Sequence, residues 1–370
     1  MPVQHPSILR NTRLVNARDR LFRPHHLSKA GKTPYRIIYH DGLISVRHYS
    51  NPNSNLTEPP LVLIAPLAVN MLIYDLFPDR SLVRYFTDLG RQVYLIDWGN
   101  PTRRYNHYSL ATYVLDLLPQ CLDAVRRHNG QRRLDLHGWS MGGHLLLCHA
   151  GRGTDTDLGH LVIVGTSIDS HRSGAIGRFA NRLNRSMCWL ERHLPIQRQK
   201  LPAQWFYSPG WLNALNFKLT SPKASIEGYL ELLRRLQDRD FVVDHATQAA
   251  FLDHMVAYPG ALARDMFLEA WLANRFASGT LQLGTETIRF DRIRQPTLVI
   301  AGHSDSLATP AAVAALMPLL SSCERKTFIE VPGGHMGIVA GREAPTACWP
   351  SIHSWLSETP INPTRENPYP

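Results

Sequence analysis

Short runs of apolar residues recur along the chain, and longer segments with helical spacing separate them. The runs lie at 61–65, 92–97, 133–136, 161–164, 297–301 and 327–331. The segments that suit crossover helices lie at 81–89, 110–127, 143–150 and 311–320. Continuous apolar runs of this length are typical of parallel strands that are buried on both faces. The alternation therefore predicts an α/β protein with a doubly wound, mostly parallel sheet.

Two departures from this alternation define the predicted domain organisation. First, two β-rich runs at 35–40 and 43–49 flank Asp41-Gly42, which is a strong hairpin signal. Second, the alternation stops between about 168 and 293, where amphipathic, aromatic-rich segments such as 226–236 and 248–257 carry no convincing strand run. We therefore expect a helical cap at 168–293, inserted between the two parts of an α/β core at 35–167 and 294–356. A basic N-terminal arm (1–34), partly helical near 7–22, and a proline-rich tail (357–370) complete the chain.

Composition narrows the class of protein. The chain has 370 residues, of which 44% are hydrophobic and 19% are charged, which suits one large globular domain with an insertion or two domains. No apolar run approaches the length of a membrane span, and the polar, Arg-rich N-terminus lacks the apolar core of a secretory signal. Five scattered cysteines without a C-x-x-C pair predict reduced thiols rather than disulfides or a metal site. We therefore expect a cytoplasmic protein with no metal or cofactor.

The formal net charge is +10, and much of the excess is arginine in the arm and between 172 and 200. One interpretation is a solvated basic surface, and the other is attraction of an anionic partner such as a nucleotide-bearing thioester. No nucleic-acid-binding motif accompanies the charge, so we expect no nucleic-acid partner.

The candidate chemistry centres on residues 134–147, which are predicted to form a strand, a tight turn and a helix. The turn has the pattern G-x-S-x-G, with Gly138, Ser140 and Gly142. In this strand–turn–helix context the pattern is typical of a nucleophile elbow, which exposes the serine hydroxyl at the N-terminus of a helix. Glycines are expected because a side chain at either position would collide with the neighbouring strand or helix.

A nucleophilic serine requires a base and an orienting acid. Asp305 follows the apolar run 297–301, and His335 follows the run 327–331, so both are predicted at strand ends and in the expected chain order. We therefore predict a Ser140–His335–Asp305 triad. His303 is a weaker candidate for the base, and His137 and His144, which flank the elbow, are predicted to be packing or supporting groups.

Hydrolysis through an acyl-serine also requires two N–H donors for the oxyanion. One is predicted to be the backbone of Met141, the residue after the nucleophile. The other is expected from the loop that follows 61–65, at Val69 or alternatively at Ala68.

Several motifs resemble the poly(3-hydroxyalkanoate) synthase family, and most closely its shorter members, which work with a partner subunit. They are APLAVN at 65–70, YDL at 74–76, DRS at 79–81, YLIDWGNP at 94–101, the elbow, the Asp305 loop and VPGGHMGI at 331–338. The resemblance covers about 35–356. It implies an α/β-hydrolase fold with a lid, acyl-CoA-type chemistry in the cytoplasm or at a polyester granule, and a homodimer or a synthase-type partner subunit. It also implies nucleophile, acid and base roles for Ser140, Asp305 and His335, and an oxyanion donor near Val69.

The chain departs from this family at the elbow, where the synthases carry cysteine and this chain carries Ser140. An acyl-serine is an oxyester, so its return to a thiol is uphill, whereas water or another hydroxyl resolves it readily. We therefore expect a serine hydrolase or acyltransferase that acts on aliphatic hydroxyacyl esters, oligoesters or thioesters. The alternatives are a true polyester synthase and a catalytically idle subunit that binds a synthase or a granule.

Overall fold

The computed structural model describes residues 6–52, 54, 57–194, 197–219 and 222–357. Most of the predicted tail therefore lies outside the described residues. In this part of the chain no helix combines the length and the apolar character that crossing a membrane demands.

An eight-stranded sheet forms the centre of the molecule, in the order β1-β2-β6-β3-β7-β8-β11-β12. The pairs β1–β2 and β2–β6 are antiparallel, and every later pair in this order is parallel. Strands of the whole fold are β1 Arg36–His40, β2 Ser45–Tyr49, β3 Leu61–Ile64, β4 Asp75–Phe77, β5 Arg80–Ser81, β6 Val93–Asp97, β7 Leu134–Trp139, β8 Leu158–Val164, β9 Thr280–Leu283, β10 Glu286–Arg289, β11 Thr297–Gly302 and β12 Lys326–Val331. The predicted doubly wound, mostly parallel sheet is confirmed.

Helices cover both faces of this sheet. The α-helices are α1 Pro6–Phe22, α2 Pro24–Leu27, α3 Leu82–Asp88, α4 Leu118–Asn129, α5 Met141–Gly151, α6 Gly174–His193, α7 Gly210–Leu219, α8 Pro222–Arg234, α9 Arg239–Asp253, α10 Gly260–Asp265, α11 Pro310–Ala314, α12 Gly337–Ala340, α13 Ala344–Ala347 and α14 Trp349–Ser357. Thr112–Leu117 is π-helical and continues into α4. Met266–Leu272 is also π-helical and follows α10. Short 3-10 turns lie at Met71–Tyr74, Arg103–Tyr105, Ser170–Arg172, Arg198–Lys200, Ala203–Phe206, Arg275–Ser278, Phe290–Arg292 and Met317–Leu319.

The core explains why the apolar runs predict the strands so closely. Every residue of β3, β7, β8 and β11 is buried, as is every residue of α5, which follows the elbow. A helix that is buried all round must be apolar all round, and α5 is apolar except for His144 and His149. The elbow is therefore held between two elements with no solvent-exposed face.

Residues 168–293, which we call the cap segment, follow β8, precede β11 and contain helices α6 to α10. The expectation that this segment holds no strand is wrong at its C-terminal end, where β9 and β10 form an antiparallel hairpin. Alternate residues of β9 are buried, and Leu281, Leu283 and Ile288 belong to the same apolar cluster as α5. The hairpin is therefore packed on the α/β core.

The N-terminal arm is helical and rests on helix α9 of the cap segment. The Asn16 amide donates to the carbonyl of Leu236 at 2.7 Å, and Arg239 donates to Asn16 and Asp19, each at 2.9 Å. The Lys29 N–H donates to Thr247 at 3.1 Å. The N-terminal arm thus packs against one side of α9.

Candidate active site

Ser140 occupies a strained turn between β7 and α5. Its backbone has φ 55° and ψ −123°, a conformation that L-residues rarely adopt and that is typical of a nucleophile elbow. A Cβ atom at Gly142 would lie 2.0 Å from the Ile64 carbonyl oxygen, and one at Gly138 would lie 2.6 Å from the Cα of Gly143. Both glycines of the motif are therefore required by close approach of backbone to backbone.

Two groups that the sequence analysis missed fix the elbow further. The Ser140 N–H donates to the carbonyl of Val164 at 2.8 Å, and the Thr166 hydroxyl donates to the Ser140 carbonyl at 2.9 Å. A Cβ atom at Gly143 would lie 2.0 Å from the Thr166 hydroxyl oxygen, so Gly143 makes room for this bond. Gly143, the second glycine of Gly142-Gly143, is the sequence signal that could have indicated this close contact.

The structure brings the three predicted triad side chains together. The Ser140 Oγ lies 2.9 Å from His335 Nε2, and His335 Nδ1 lies 2.7 Å from the Asp305 Oδ2. With Nδ1 protonated and donating to the carboxylate, Nε2 is free to accept the Ser140 hydroxyl proton. This arrangement has the geometry that base activation of a serine requires.

The carboxylate and the imidazole are each held by further contacts. Asp305 is 3% exposed, and its Oδ1 accepts the N–H groups of Leu307 and Ala308, each at 2.9 Å. The Trp139 indole N–H donates to the His335 carbonyl at 3.1 Å, and the two rings lie 5.4 Å apart. These contacts leave the second carboxylate oxygen directed at the imidazole.

The rival nucleophile and base candidates lie elsewhere. The His303 side chain is 81% exposed and lies 3.5 Å from the Glu330 carboxylate. Cys121 and Cys148 are buried in helices α4 and α5, and burial raises the pKa of both thiols, which keeps them protonated. Only His335 reaches the serine among the candidates that the sequence suggests for the base.

His137 and His144 are buried beneath the elbow. Burial lowers the pKa of each to about 4, so both are neutral at physiological pH. His144 Nε2 lies 2.8 Å from the Ser167 carbonyl, and its ring packs 4.4 Å from that of Phe276. His144 therefore acts as a hydrogen-bonded packing residue between the core and the cap segment.

The two predicted oxyanion donors flank the elbow, and their identity stays a prediction. Met141 is the first residue of α5, where a helix has no intrahelical acceptor for its N–H. The loop that carries Ala68 and Val69 starts at Ala65, whose carbonyl carbon would lie 3.0 Å from a Cβ at Gly142. Ala68 has φ 64°, a left-handed backbone that is unusual for alanine.

Asn70 and Tyr258 connect this region to the cap segment, and the sequence analysis did not identify either. The Asn70 side chain accepts from the Leu72 N–H at 3.0 Å and donates to the carbonyls of Phe251 and His254 at 2.8 and 3.0 Å. The Tyr258 hydroxyl lies 2.6 Å from the Met141 sulfur. Both contacts join residues more than a hundred positions apart, which one sequence does not reveal.

No three His, Cys, Asp or Glu side chains lie close enough to share a metal ion within the described ranges. Ser140, Asp305 and His335 lie at the carboxyl ends of β7, β11 and β12, respectively.

A protein-family model for the alpha/beta hydrolase fold matches residues 59–341. The chain belongs to this family. A crystal structure of a hydrolase from Pseudomonas aeruginosa superposes with a TM-score of 0.50 at 17% identity, covering 89% of this chain and 100% of that one. This likeness concerns the fold alone.

Curated relatives confirm the resemblance to polyester synthases. The chain is 26% identical to the poly(3-hydroxyalkanoate) polymerase subunit PhaC of Haloferax mediterranei, over 91% of this chain and 66% of that protein. It is also 26% identical to the protein of the same name from Allochromatium vinosum, over 89% of both chains. The chain thus spans about two thirds of the length of the haloarchaeal relative. Together these likenesses identify an enzyme of the hydrolase or acyltransferase type.

Proposed function

We propose that this protein is a serine-nucleophile acyl hydrolase that acts on aliphatic hydroxyacyl esters, oligoesters or thioesters. The observation that supports this most is the continuous contact from Ser140 Oγ to His335 Nε2 at 2.9 Å and from His335 Nδ1 to Asp305 at 2.7 Å. A buried carboxylate that orients the imidazole is what a serine needs to become a nucleophile.

The proposed reaction proceeds in two acyl transfers. The Ser140 Oγ attacks the acyl carbonyl while its proton passes to His335 Nε2, and the Met141 and Val69 N–H groups stabilise the oxyanion. The intermediate collapses as His335 returns that proton to the leaving alcohol or thiol, which leaves an acyl-serine. Water then attacks the acyl-serine and loses a proton to His335. The acid leaves as this proton passes to the Ser140 Oγ, which restores the free hydroxyl.

The chemistry of the nucleophile favours water as the final acceptor. A cysteine thioester exchanges with a CoA thioester at nearly equal energy, whereas an acyl-serine is the more stable oxyester. Transfer back to a thiol is therefore uphill from Ser140, and hydrolysis or transfer to another hydroxyl is favoured. Asp305 holds the imidazole that this weaker nucleophile requires.

Polyester synthesis from hydroxyacyl-CoA is the second candidate function, because the similarity to the named polymerase subunits extends over about nine-tenths of this chain. In that case the protein would work in the cytoplasm or at a granule surface as a homodimer or with a second subunit. An idle binding subunit is disfavoured, since such a role requires neither the elbow strain at Ser140 nor the buried contacts of Asp305.

Mass spectrometry of products distinguishes these functions. The protein is incubated in parallel with a hydroxyacyl-CoA and with a linear hydroxyacyl oligoester, with Ser140→Ala as the matched control. We expect the parent protein to produce free hydroxy acid and Ser140→Ala to produce none. Insoluble polymer with CoA release would establish the synthase function instead, and no turnover of either substrate would favour the idle subunit.

We further propose that the cap segment is a lid over the site. Its contacts with the loop and the helix that flank Ser140, through Asn70 and Met141, support a cover that excludes water from the site. Hydrogen exchange is compared with and without a covalent acyl inhibitor on Ser140. We expect α9 and α10 to gain protection in the inhibited protein, and equal strong protection in both states would contradict a moving lid.

A further inference from the structure

An apolar groove lies in the cap segment beside the elbow. We call it the acyl groove, and it is lined by Phe206, Tyr258, Ala263, Met266 and Phe267. It is a shallow depression of about 490 Å³ that is largely open to solvent. None of these lining residues is charged, and the hydroxyl of Tyr258 is the one polar side-chain group among them.

The Tyr258 hydroxyl places this groove next to the nucleophile. The hydroxyl oxygen lies 2.6 Å from the sulfur of Met141. The one polar side-chain group of the groove is therefore directed at the residue that follows Ser140. Met141 is itself 7% exposed. Tyr258, in one wall of the groove, therefore contacts Met141, the first residue of helix α5 after Ser140.

The groove is built on backbone that leaves little freedom. Ser208 and Tyr258 exchange two backbone hydrogen bonds, at 3.2 and 2.8 Å. A Cβ atom at Gly260 would lie 2.1 Å from the Ala203 carbonyl oxygen, so the two segments that carry the lining residues approach as closely as a glycine permits. A pre-formed groove with an apolar lining is typical of a ligand site.

Aromatic rings extend the groove toward solvent. The Phe206 and Phe267 rings lie 6.5 Å apart, and Trp271 stacks on Phe267 with centroids 5.4 Å apart. Phe267 is 41% exposed, so part of its ring is accessible from the open side of the groove. The charged neighbour Asp265 does not line the groove, and its carboxylate is bound to the Leu110 N–H and to Arg264.

We propose that the acyl groove binds the aliphatic chain of the acyl group, and that Ala263 and Phe267 determine which chain lengths are accepted. This inference rests on the proposed acyl hydrolysis and specifies its substrate as an ester with an extended, uncharged alkyl chain. An apolar surface of this kind gains free energy with each methylene that it removes from water, whereas it offers nothing to a phosphate or a sugar.

The test compares kcat/KM for p-nitrophenyl octanoate with that for p-nitrophenyl acetate. We expect the parent to prefer the octanoate by at least about tenfold, because several additional methylenes are buried. Ala263→Phe fills the groove and should lower this preference by roughly tenfold or more. Phe267→Ala changes a half-exposed wall, so it should fold even if Ala263→Phe does not, and it should lower the preference several-fold.

Trp211→Ala is the matched control, since Trp211 is an aromatic of the cap segment that is 69% exposed and does not line the groove. It should leave the preference unchanged. A parent that cleaves both esters without preference, or groove variants that change both activities by the same factor, would overturn the inference and leave the proposed hydrolysis intact. A parent that cleaves neither ester, or a Ser140→Ala variant that still cleaves them, would overturn the proposed function as well.

Discussion

The sheet and the cap segment contribute to the candidate site through different kinds of contact. At the sheet, Ser140 and Asp305 are fixed by backbone hydrogen bonds, and Gly138 and Gly142 leave no clearance for a side chain. At the cap segment, the contacts combine side-chain bonds, such as that of Asn70 to Phe251, with apolar packing, in which Phe251 and Leu262 share buried clusters with the sheet.

This difference indicates how the two regions divide their work. A catalytic group must be held within a fraction of an ångström, and fully buried strands provide that rigidity. A surface that admits and selects substrates does not hold a reacting atom, so it tolerates small displacements. We therefore expect substitutions at the sheet to abolish chemistry, and substitutions at the cap segment to alter rate and selectivity by smaller factors.

After loss of the nucleophile itself, the largest effect is expected at Asp305. Asp305→Asn keeps the shape of the side chain but favours the wrong tautomer of His335, and the same change in a serine protease lowers kcat by roughly 10⁴-fold. We expect a loss of that order in ester hydrolysis, measured as kcat. Asp291→Asn is the control, because Asp291 is an exposed carboxylate paired with Arg289, and a comparable loss there would show that the assay reports stability.

Ser140→Cys should reveal whether the sheet region retains thioester chemistry. The N-terminus of α5 favours a thiolate, and His335 can activate a thiol as it does an alcohol. Ester hydrolysis should fall by on the order of a hundredfold, because the larger sulfur displaces the carbonyl from the oxyanion donors.

The same variant should gain isotope exchange between labelled CoA and hydroxyacyl-CoA. If a folded, thiol-reactive Ser140→Cys protein shows no more exchange than its parent, the site is built for hydrolysis and the likeness to polymerase subunits reflects ancestry alone.

Asn70→Ala addresses the contact between the two regions. It removes the bonds to the carbonyls of Phe251 and His254 and frees the loop that carries the predicted Val69 donor. We expect kcat to fall roughly tenfold, with a smaller change in KM, because a displaced donor affects the transition state more than binding. Asn213→Ala is matched to it, since the Asn213 amide bonds Val256 at 2.8 Å within the cap segment. Equal losses of kcat in both variants would assign Asn70 a structural role only.

The last expected effect concerns the stability of the fold against pH rather than the rate of catalysis. His137 and His144 are neutral in the folded protein because burial lowers their pKa to about 4, whereas the unfolded chain titrates near the ordinary value of about 6.5. Between these values the unfolded state binds more protons, so the free energy of unfolding falls as the pH drops. Each histidine should contribute a loss of about 2 kcal/mol between pH 7 and pH 5.

Denaturant unfolding at pH 7 and at pH 5 measures this loss. His144→Gln should lose less stability over that interval than the parent does, while His303→Gln, at an exposed position, should lose as much as the parent. A pH dependence that is identical in all three proteins would contradict the assignment of the effect to the buried imidazole.

The sheet could be predicted from the sequence because its strands are buried on both faces, which forces continuous apolar runs such as 61–65. The same logic placed Asp305 and His335, since the loop after a parallel strand leads to the carboxyl edge of the sheet. The hairpin of β9 and β10 was missed, although its alternating residues and the turn at Gly284 carry a period-two signal.

The contacts between the regions were not predictable, for a physical reason. Asn70, Tyr258 and Thr166 each bond to a group whose proximity depends on how whole elements pack, and no local periodicity encodes that packing. Asn70 carried only the local signal of a residue that caps the turn Met71–Tyr74, which its side chain also does.

Ser140 is expected to carry the acyl group during turnover. The most direct measurement is mass spectrometry of the proteolysed enzyme after rapid acid quenching during hydrolysis of a hydroxyacyl ester, and after labelling with a fluorophosphonate. We expect the acyl and the phosphonyl mass on the peptide that contains Ser140, and neither mass in Ser140→Ala. An active enzyme that carries the acyl group on any other residue, or that turns over substrate with Ser140 never modified, would contradict it.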